Sequence, residues 1–294
     1  MAVIDANAPA NAKAEWRQAD ITKLPEMIEA TRGADAIYHL AAISNVNTAF
    51  ADPLGCIDAN IRGMAVVLDA ARQNKAGRVI FASSVWVYQA IKDQHPSEAS
   101  PFMADGAPHL YTASKIAGEM LCNTYKQLYG TPFTILRYGI PYGPMMRHDL
   151  LLPIFIRKAM AGEPLTVMGD GKQFRKFIFI EDLVAGNIAA LSPKAANQTY
   201  NLEGDERVSV IEIAQAIAAL VPGTKIEFLP PRPGDFGGVE VDAKKALADL
   251  GWKPNVSFQE GLRRTVEYFK PIFSPAATGA GARSLPGEKA AATR

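Results

Sequence analysis

Apolar residues along this chain follow two rhythms. In "ADAIYHLAA" (34–42), "GRVIFASS" (77–84) and "FTILRYG" (133–139) they run on without alternating, as in strands buried on both faces. Between these runs lie "PLGCIDANIRGMAVVLDAARQNK" (53–75) and "YTASKIAGEMLCNTYKQLYG" (111–130), where apolar positions recur at helical spacing. Buried strands alternating with helices predict an α/β fold with a doubly wound parallel sheet. After "PYGP" (141–144) the texture changes. Short strands such as "KFIFI" (176–180) and "QTYNL" (198–202) mix with helices near 150–161, 182–191, 209–220 and 258–270, which predicts a smaller C-terminal α+β lobe. The expected organisation is a sheet-bearing part over 1–144 and a lobe over 145–272. The remaining stretch, 273–294, is rich in Ala, Gly, Pro and Ser and is expected to be a disordered tail.

Composition narrows the function classes. Lys and Arg number 31 against 30 Asp and Glu, so no broad basic surface for nucleic acid is implied. Cys56 and Cys122 form no CxxC pair and read as reduced, buried thiols. No apolar run approaches the roughly 18 residues of a transmembrane helix, and the N-terminus lacks the features of a signal peptide. A cytoplasmic protein is therefore expected, with no membrane partner. His39, His95, His109 and His148 show no metal-ligand spacing. His39 sits within a strand and reads as a core histidine, and no metal is expected.

In such a sheet, ligands bind beyond the carboxyl ends of the strands. That directs attention to Asp5, "HLAA" (39–42), "SSV" (83–85) and "RYG" (137–139). Tyr111 and Lys115, four apart at the start of a helix, share one face. An ammonium near a phenol favours the phenolate and makes it a usable proton acceptor near neutral pH. Ser84 closes the preceding strand, where its hydroxyl can hold a substrate oxygen beside that phenol. A bare YxxxK pair is common by chance and more often a surface Tyr with a solvated Lys. A strand ending in Ser-Ser, a loop and then YxxxK opening a long helix is a more specific arrangement.

With these residues in place, the chain resembles an extended short-chain dehydrogenase/reductase of the NAD-dependent sugar epimerase/dehydratase family. The matching pieces run in family order over about residues 1–270: "VIDAN" (3–7), "ADI" (19–21), "YHLAA" (38–42), "DANIRG" (58–63), "FASSVWVY" (81–88), "YTASK" (111–115), "LRYGIPYGP" (136–144), "GDGKQFRKFIFIEDL" (169–183) and "RPGD" (232–235). The resemblance implies a Rossmann-type sheet, NAD as cofactor and a nucleotide-sugar substrate. It implies catalysis by Ser84, Tyr111 and Lys115. Asp5 would take the adenosine ribose, favouring NAD over NADP, and Asp20 and Ile21 would border the adenine. Leu40, Ala41 and Ala42 would line the passage of the pyrophosphate, where plain core packing is the competing reading. Asn60 would support the active site and Tyr138 would lie near the nicotinamide.

The same resemblance speaks to the reaction. Where dehydratases of this type carry an Asp-Glu pair after the catalytic hydroxyl, this chain has Val85 and Trp86. Neither moves a proton, which leaves epimerisation or net redox chemistry. Gln89 replaces a glycine usual in the family. Arg175 and Arg232 match arginines that clamp a nucleotide-sugar diphosphate in 4-epimerases, and surface ion pairs are the competing reading. Asp235 would take a nucleotide ribose hydroxyl. Three departures stand against a UDP-sugar: Ile140 in place of an Asn, Lys176 in place of an acidic residue, and "DLLLP" (149–153) without a preceding Asn. Family dimers form through a bundle containing the YxxxK helix. Ile116, Met120 and Leu121 are compatible with such a homodimer and equally with core packing.

Three readings therefore stand: a UDP-sugar 4-epimerase, an NAD-dependent oxidoreductase of the same fold on another substrate, and a cofactor-free, non-enzymatic paralogue. The third arises from the first residues. "MAVIDANAPA" (1–10) reads as the end of a strand running into a loop, and no glycine precedes Gly33. The first strand and the glycine-rich loop that lets backbone N–H groups approach a pyrophosphate are thus expected to be missing from this chain. A truncated gene model or a fragment is the expected reason.

Overall fold

The computed structural model describes residues 16–91, 95–103, 106–231 and 240–274. Along the chain run α1 (Leu24–Ala30), β1 (Ile37–His39), α2 (Val46–Ala51), α3 (Pro53–Ile57), α4 (Gly63–Asn74), β2 (Val79–Ser84), α5 (Leu110–Tyr129) and β3 (Phe133–Tyr138). They are followed by β4 (Ile140–Tyr142), α6 (Leu151–Met160), β5 (Leu165–Met168), β6 (Phe174–Phe179), α7 (Ile180–Ala189), β7 (Gln198–Leu202) and β8 (Arg207–Ser209). The last are α8 (Val210–Leu220), β9 (Ile226–Leu229), α9 (Lys244–Leu250) and α10 (Phe258–Phe273).

The chain divides into two compact units. The first holds residues 1–138, 186–202 and 241–252, and the second holds 139–185, 203–240 and 253–294. In the first, β1, β2, β3 and β7 form a wholly parallel sheet in that order. This is the parallel sheet that the unbroken apolar runs predict and the Rossmann-type core that the resemblance implies, and every residue of β2 is buried. Met64, Val67, Leu68 and Ala71 of α4 pack with Val79, Phe81, Phe133 and Ile135 of the strands. Gly118 of α5 lies directly over the Phe81 ring of β2. A Cβ there would lie 2.4 Å from the Phe81 ring, so any larger residue would have to displace that ring or the helix.

The second unit is the smaller α+β lobe. β4 and β6 pair in parallel, β6 and β8 antiparallel, and β5 and β9 form a separate parallel pair. Phe155, Ile156, Phe179, Ile213, Leu262 and Phe269 fill its core. A capping box starts α8: the Ser209 hydroxyl accepts from the Glu212 backbone N–H while the Glu212 carboxylate accepts from that of Ser209.

One long helix is predicted over 53–75, and the structure divides it. Between α3 and α4 lies a π-helical turn, Asp58–Arg62. The π segment is five residues, barely more than one turn, too short to show a period of its own in the sequence. Cys56 and Cys122 are free and buried. His39 is buried and stacked on Phe81, and burial pushes its pKa down to about 4, as suits a neutral core imidazole. No helix among the described residues is long and apolar enough to cross a membrane.

Candidate active site

Helical spacing sets Tyr111, Lys115 and Glu119 on one face of α5. Lys115 is only 4% exposed. Its Nζ donates to the Ala82 carbonyl of β2 at 2.7 Å and lies 5.6 Å from the centre of the Tyr111 ring. Burial pushes the Lys115 pKa down to about 8, opposed by the charges of Glu119 and Cys56. The ammonium thus persists at neutral pH while sitting close to its own titration. In an acid-base role its support for a Tyr111 phenolate would be full well below pH 8, halved near that value and lost above it. If the pair works as acid and base, kcat/KM shows an alkaline limb near pH 8. Lys115→Met should lack that limb and sit at a lower plateau. A native profile that stays flat from about pH 7 to about pH 9 contradicts the role.

Ser84 ends β2 and is buried. Its Oγ accepts the Trp86 backbone N–H at 3.3 Å and so caps the 3-10 turn Val85–Tyr88. The Trp86 indole lies 4.9 Å from the His109 ring, and His109 lies 6.4 Å from the Tyr111 ring. His109 also starts α5, where its Nδ1 accepts the Thr112 backbone N–H. The end of β2 and the start of the Tyr111 helix are therefore linked through a row of rings.

Asn60 ties a third segment to the same place. The π turn carries its side chain inward, where it is 3% exposed. Its Oδ1 accepts the Ile43 N–H at 2.7 Å and its Nδ2 donates to the Ile43 carbonyl at 3.0 Å. The carboxamide thereby satisfies both backbone groups of a residue in the loop after β1, as a neighbouring strand would. Nδ2 also donates to Ser114 Oγ at 3.0 Å, and Ser114 donates to the Tyr111 carbonyl.

Beneath this lies a buried polar row that sequence reasoning missed. Ser83, Arg137 and Asn201 are register neighbours on β2, β3 and β7. Glu119 accepts from Ser83 Oγ at 2.5 Å and from Arg137 at 2.7 and 2.9 Å. Arg137 also donates to the Tyr88 hydroxyl, which donates to Asn201 Oδ1 at 2.8 Å. Burial works against the Arg137 charge, but the Glu119 carboxylate outweighs it and holds the guanidinium more firmly protonated. The one local signal was the four-residue step from Lys115 to Glu119. The partners come from strands distant in sequence.

The other described candidates are spread over both units. Leu40 and Ala41 are exposed and Ala42 half-buried, just past the carboxyl end of β1. Tyr138 pairs with Ser84 in the sheet register and donates to Asn187 Oδ1 at 2.5 Å, and burial pushes its pKa up. Asp20 is exposed and accepts from the Thr22 N–H and hydroxyl, which hold its carboxyl below the usual range, while Ile21 is half-buried against the α4 core. Arg175 belongs to the second unit, on β6, and donates to the Phe174 carbonyl. Asp5, Arg232 and Asp235 lie outside the described residues. Of the proposed interface residues, Met120 is exposed and Ile116 and Leu121 are half-buried. Among the described residues no group of three His, Cys, Asp or Glu side chains could hold a metal ion.

Comparison with known proteins agrees with this architecture. The dTDP-glucose 4,6-dehydratase of Xanthomonas campestris pv. campestris is 31% identical over 256 residues, covering 80% of this chain and 72% of that one. The UDP-glucuronate 4-epimerase of Thermodesulfobacterium geofontis is 32% identical over 260 residues, covering 87% and 79%. Among solved structures, the UDP-glucuronic acid 4-epimerase of Bacillus cereus, crystallised with UDP-glucuronic acid and NAD, superposes with a TM-score of 0.79. That match is at 30% identity and covers 86% of this chain and 81% of the other. The family model described as "NAD dependent epimerase/dehydratase family" matches residues 2–202. By fold, by the order of its motifs and by this match, the chain belongs to the NAD-dependent epimerase/dehydratase family.

Proposed function

We propose that the chain is an NAD-dependent nucleotide-sugar epimerase that inverts C4 of a UDP-sugar by reversible removal and return of a hydride. The observation that carries this reading is the buried Lys115 ammonium beside the Tyr111 ring, at the carboxyl end of a parallel sheet. Val85 and Trp86, directly after Ser84, offer no acid or base for eliminating water. That favours epimerisation over the dehydratase activity named for some relatives, and the named 4-epimerases lend it further support.

NAD, when bound, supplies the hydride acceptor and donor. The described residues fit such a group: Leu40 and Ala41 stand exposed past β1, Ala42 follows, and Asn60 fixes the loop just beyond them. With Asp20, Ile21, Asn60, Tyr111, Lys115 and Tyr138 they would hold it. Tyr111, as phenolate, takes the proton of the sugar 4-hydroxyl as hydride leaves C4, and gives it back when hydride returns to the other face. Lys115 stabilises that phenolate, and Ser84 orients the same oxygen. Placing Asp5 on the adenosine ribose, Arg175 and Arg232 on the substrate diphosphate and Asp235 on its ribose rests on the motif resemblance. A homodimer formed over the α5 face belongs to the same reading.

The test is to incubate the purified chain with NAD and UDP-glucose, UDP-N-acetylglucosamine or UDP-glucuronate and look for the C4 epimer by NMR. Appearance of the epimer supports the proposal. If no sugar changes configuration but a keto compound is reduced with NADH, the oxidoreductase reading replaces it. Absence of NAD binding by calorimetry at high cofactor concentration overturns both enzymatic readings.

A further inference from the structure

We propose that Trp86 and His109 form a sugar-recognising wall beside Tyr111: the indole stacks on the C–H face of a pyranose, and His109 Nε2–H donates to one of its uncharged oxygens. This inference rests on the nucleotide-sugar reading above and adds how the sugar itself is recognised.

Trp86 is held at its base and open on its side. Its backbone N–H is fixed by Ser84 Oγ, its ring is backed by His109, and 36% of its surface remains exposed. A large aromatic ring left open next to a candidate acid-base tyrosine is an apolar platform of the kind that a sugar's C–H face fits.

His109 supplies the polar half. A backbone N–H can only donate, so the bond from Thr112 N–H makes Nδ1 an acceptor and leaves the ring proton on Nε2. Burial pushes the His109 pKa down, which keeps the ring neutral. Nε2 is buried and has no hydrogen-bond partner among the described residues, an uncommon and costly state for a buried donor. Histidine is also not among the side chains favoured for starting a helix. Ser would cap α5 without leaving a nitrogen unpaired. A neutral donor suits a hydroxyl or amide oxygen. Nε2 has no accessible surface, so the contact includes a rotation of the Trp86 indole as the sugar arrives.

The experiment compares UDP-glucose with UDP, which lacks the sugar, by calorimetry on the full chain with NAD. Native protein should bind UDP-glucose more tightly than UDP. Trp86→Ala and His109→Ser should each weaken UDP-glucose roughly tenfold while UDP changes by less than about twofold. Ser keeps an oxygen to cap α5 and has no nitrogen at the place of Nε2, so His109→Ser removes that donor without removing the cap, and an unchanged thermal midpoint checks this. Native protein that binds UDP and UDP-glucose equally, or variants that weaken both alike, overturns the wall and leaves the nucleotide-sugar reading standing. Native protein that binds neither overturns that reading, and the wall with it.

Discussion

Tyr111→Phe should lower kcat by a factor of about 10² to 10⁴ while leaving KM nearly unchanged. The substitution removes one oxygen and keeps the ring, so the packing of His109 and Lys115 around it survives. What disappears is the group proposed to take the proton of the sugar hydroxyl. A loss of that size corresponds to about 3–5 kcal/mol of transition-state stabilisation, which is reasonable for a proton transfer left to water. Steady-state rates for the native and variant proteins at one pH suffice as the measurement. If the variant keeps activity within about threefold, Tyr111 is not the acid-base group and the proposed chemistry fails with it.

The second large effect concerns stability. Glu119→Ala should destabilise the protein by about 3–5 kcal/mol, read from urea unfolding, because it strands the Arg137 guanidinium in the interior. Arg137 and Glu119 side chains are 4% and 2% exposed, so water screens this pair hardly at all. Ser83 loses its acceptor in the same substitution. Replacing both members, as Glu119→Met with Arg137→Met, removes the uncompensated charge and should recover most of the loss. If the single variant unfolds within about 1 kcal/mol of native, the buried pair is not the tie between α5 and β3 that the hydrogen bonds indicate.

The candidate site was legible where its signals are local. Val79–Ser84 and Phe133–Tyr138 announce themselves as unbroken apolar runs, and they are buried almost throughout. Tyr111 and Lys115 are one helical turn apart, a relation that spacing alone conveys. Arg137 was visible only as part of "RYG" at a strand end. Its partners Ser83, Glu119, Tyr88 and Asn201 come together through sheet register and helix packing, which no window of sequence contains. The π turn escaped because it is only five residues long, barely more than one turn of helix. His109 escaped for a different reason: a histidine seldom starts a helix, and its two roles need two neighbours from different segments. The assignments of Asp5, Arg232 and Asp235 rest on motif order, and those residues lie outside the described part of the chain.

The interleaving of the two units has a consequence during translation. β3 pairs with β2 on one side and with β7 on the other. β7 is synthesised only after β4, α6, β5, β6 and α7, most of which belong to the other unit. A nascent chain that has just released β3 from the ribosome therefore carries an open strand edge, with Tyr88 and Arg137 still waiting for Asn201. For that interval the half-made sheet is a template for any passing strand. Chaperone capture would be most valuable between the emergence of β3 and that of β7.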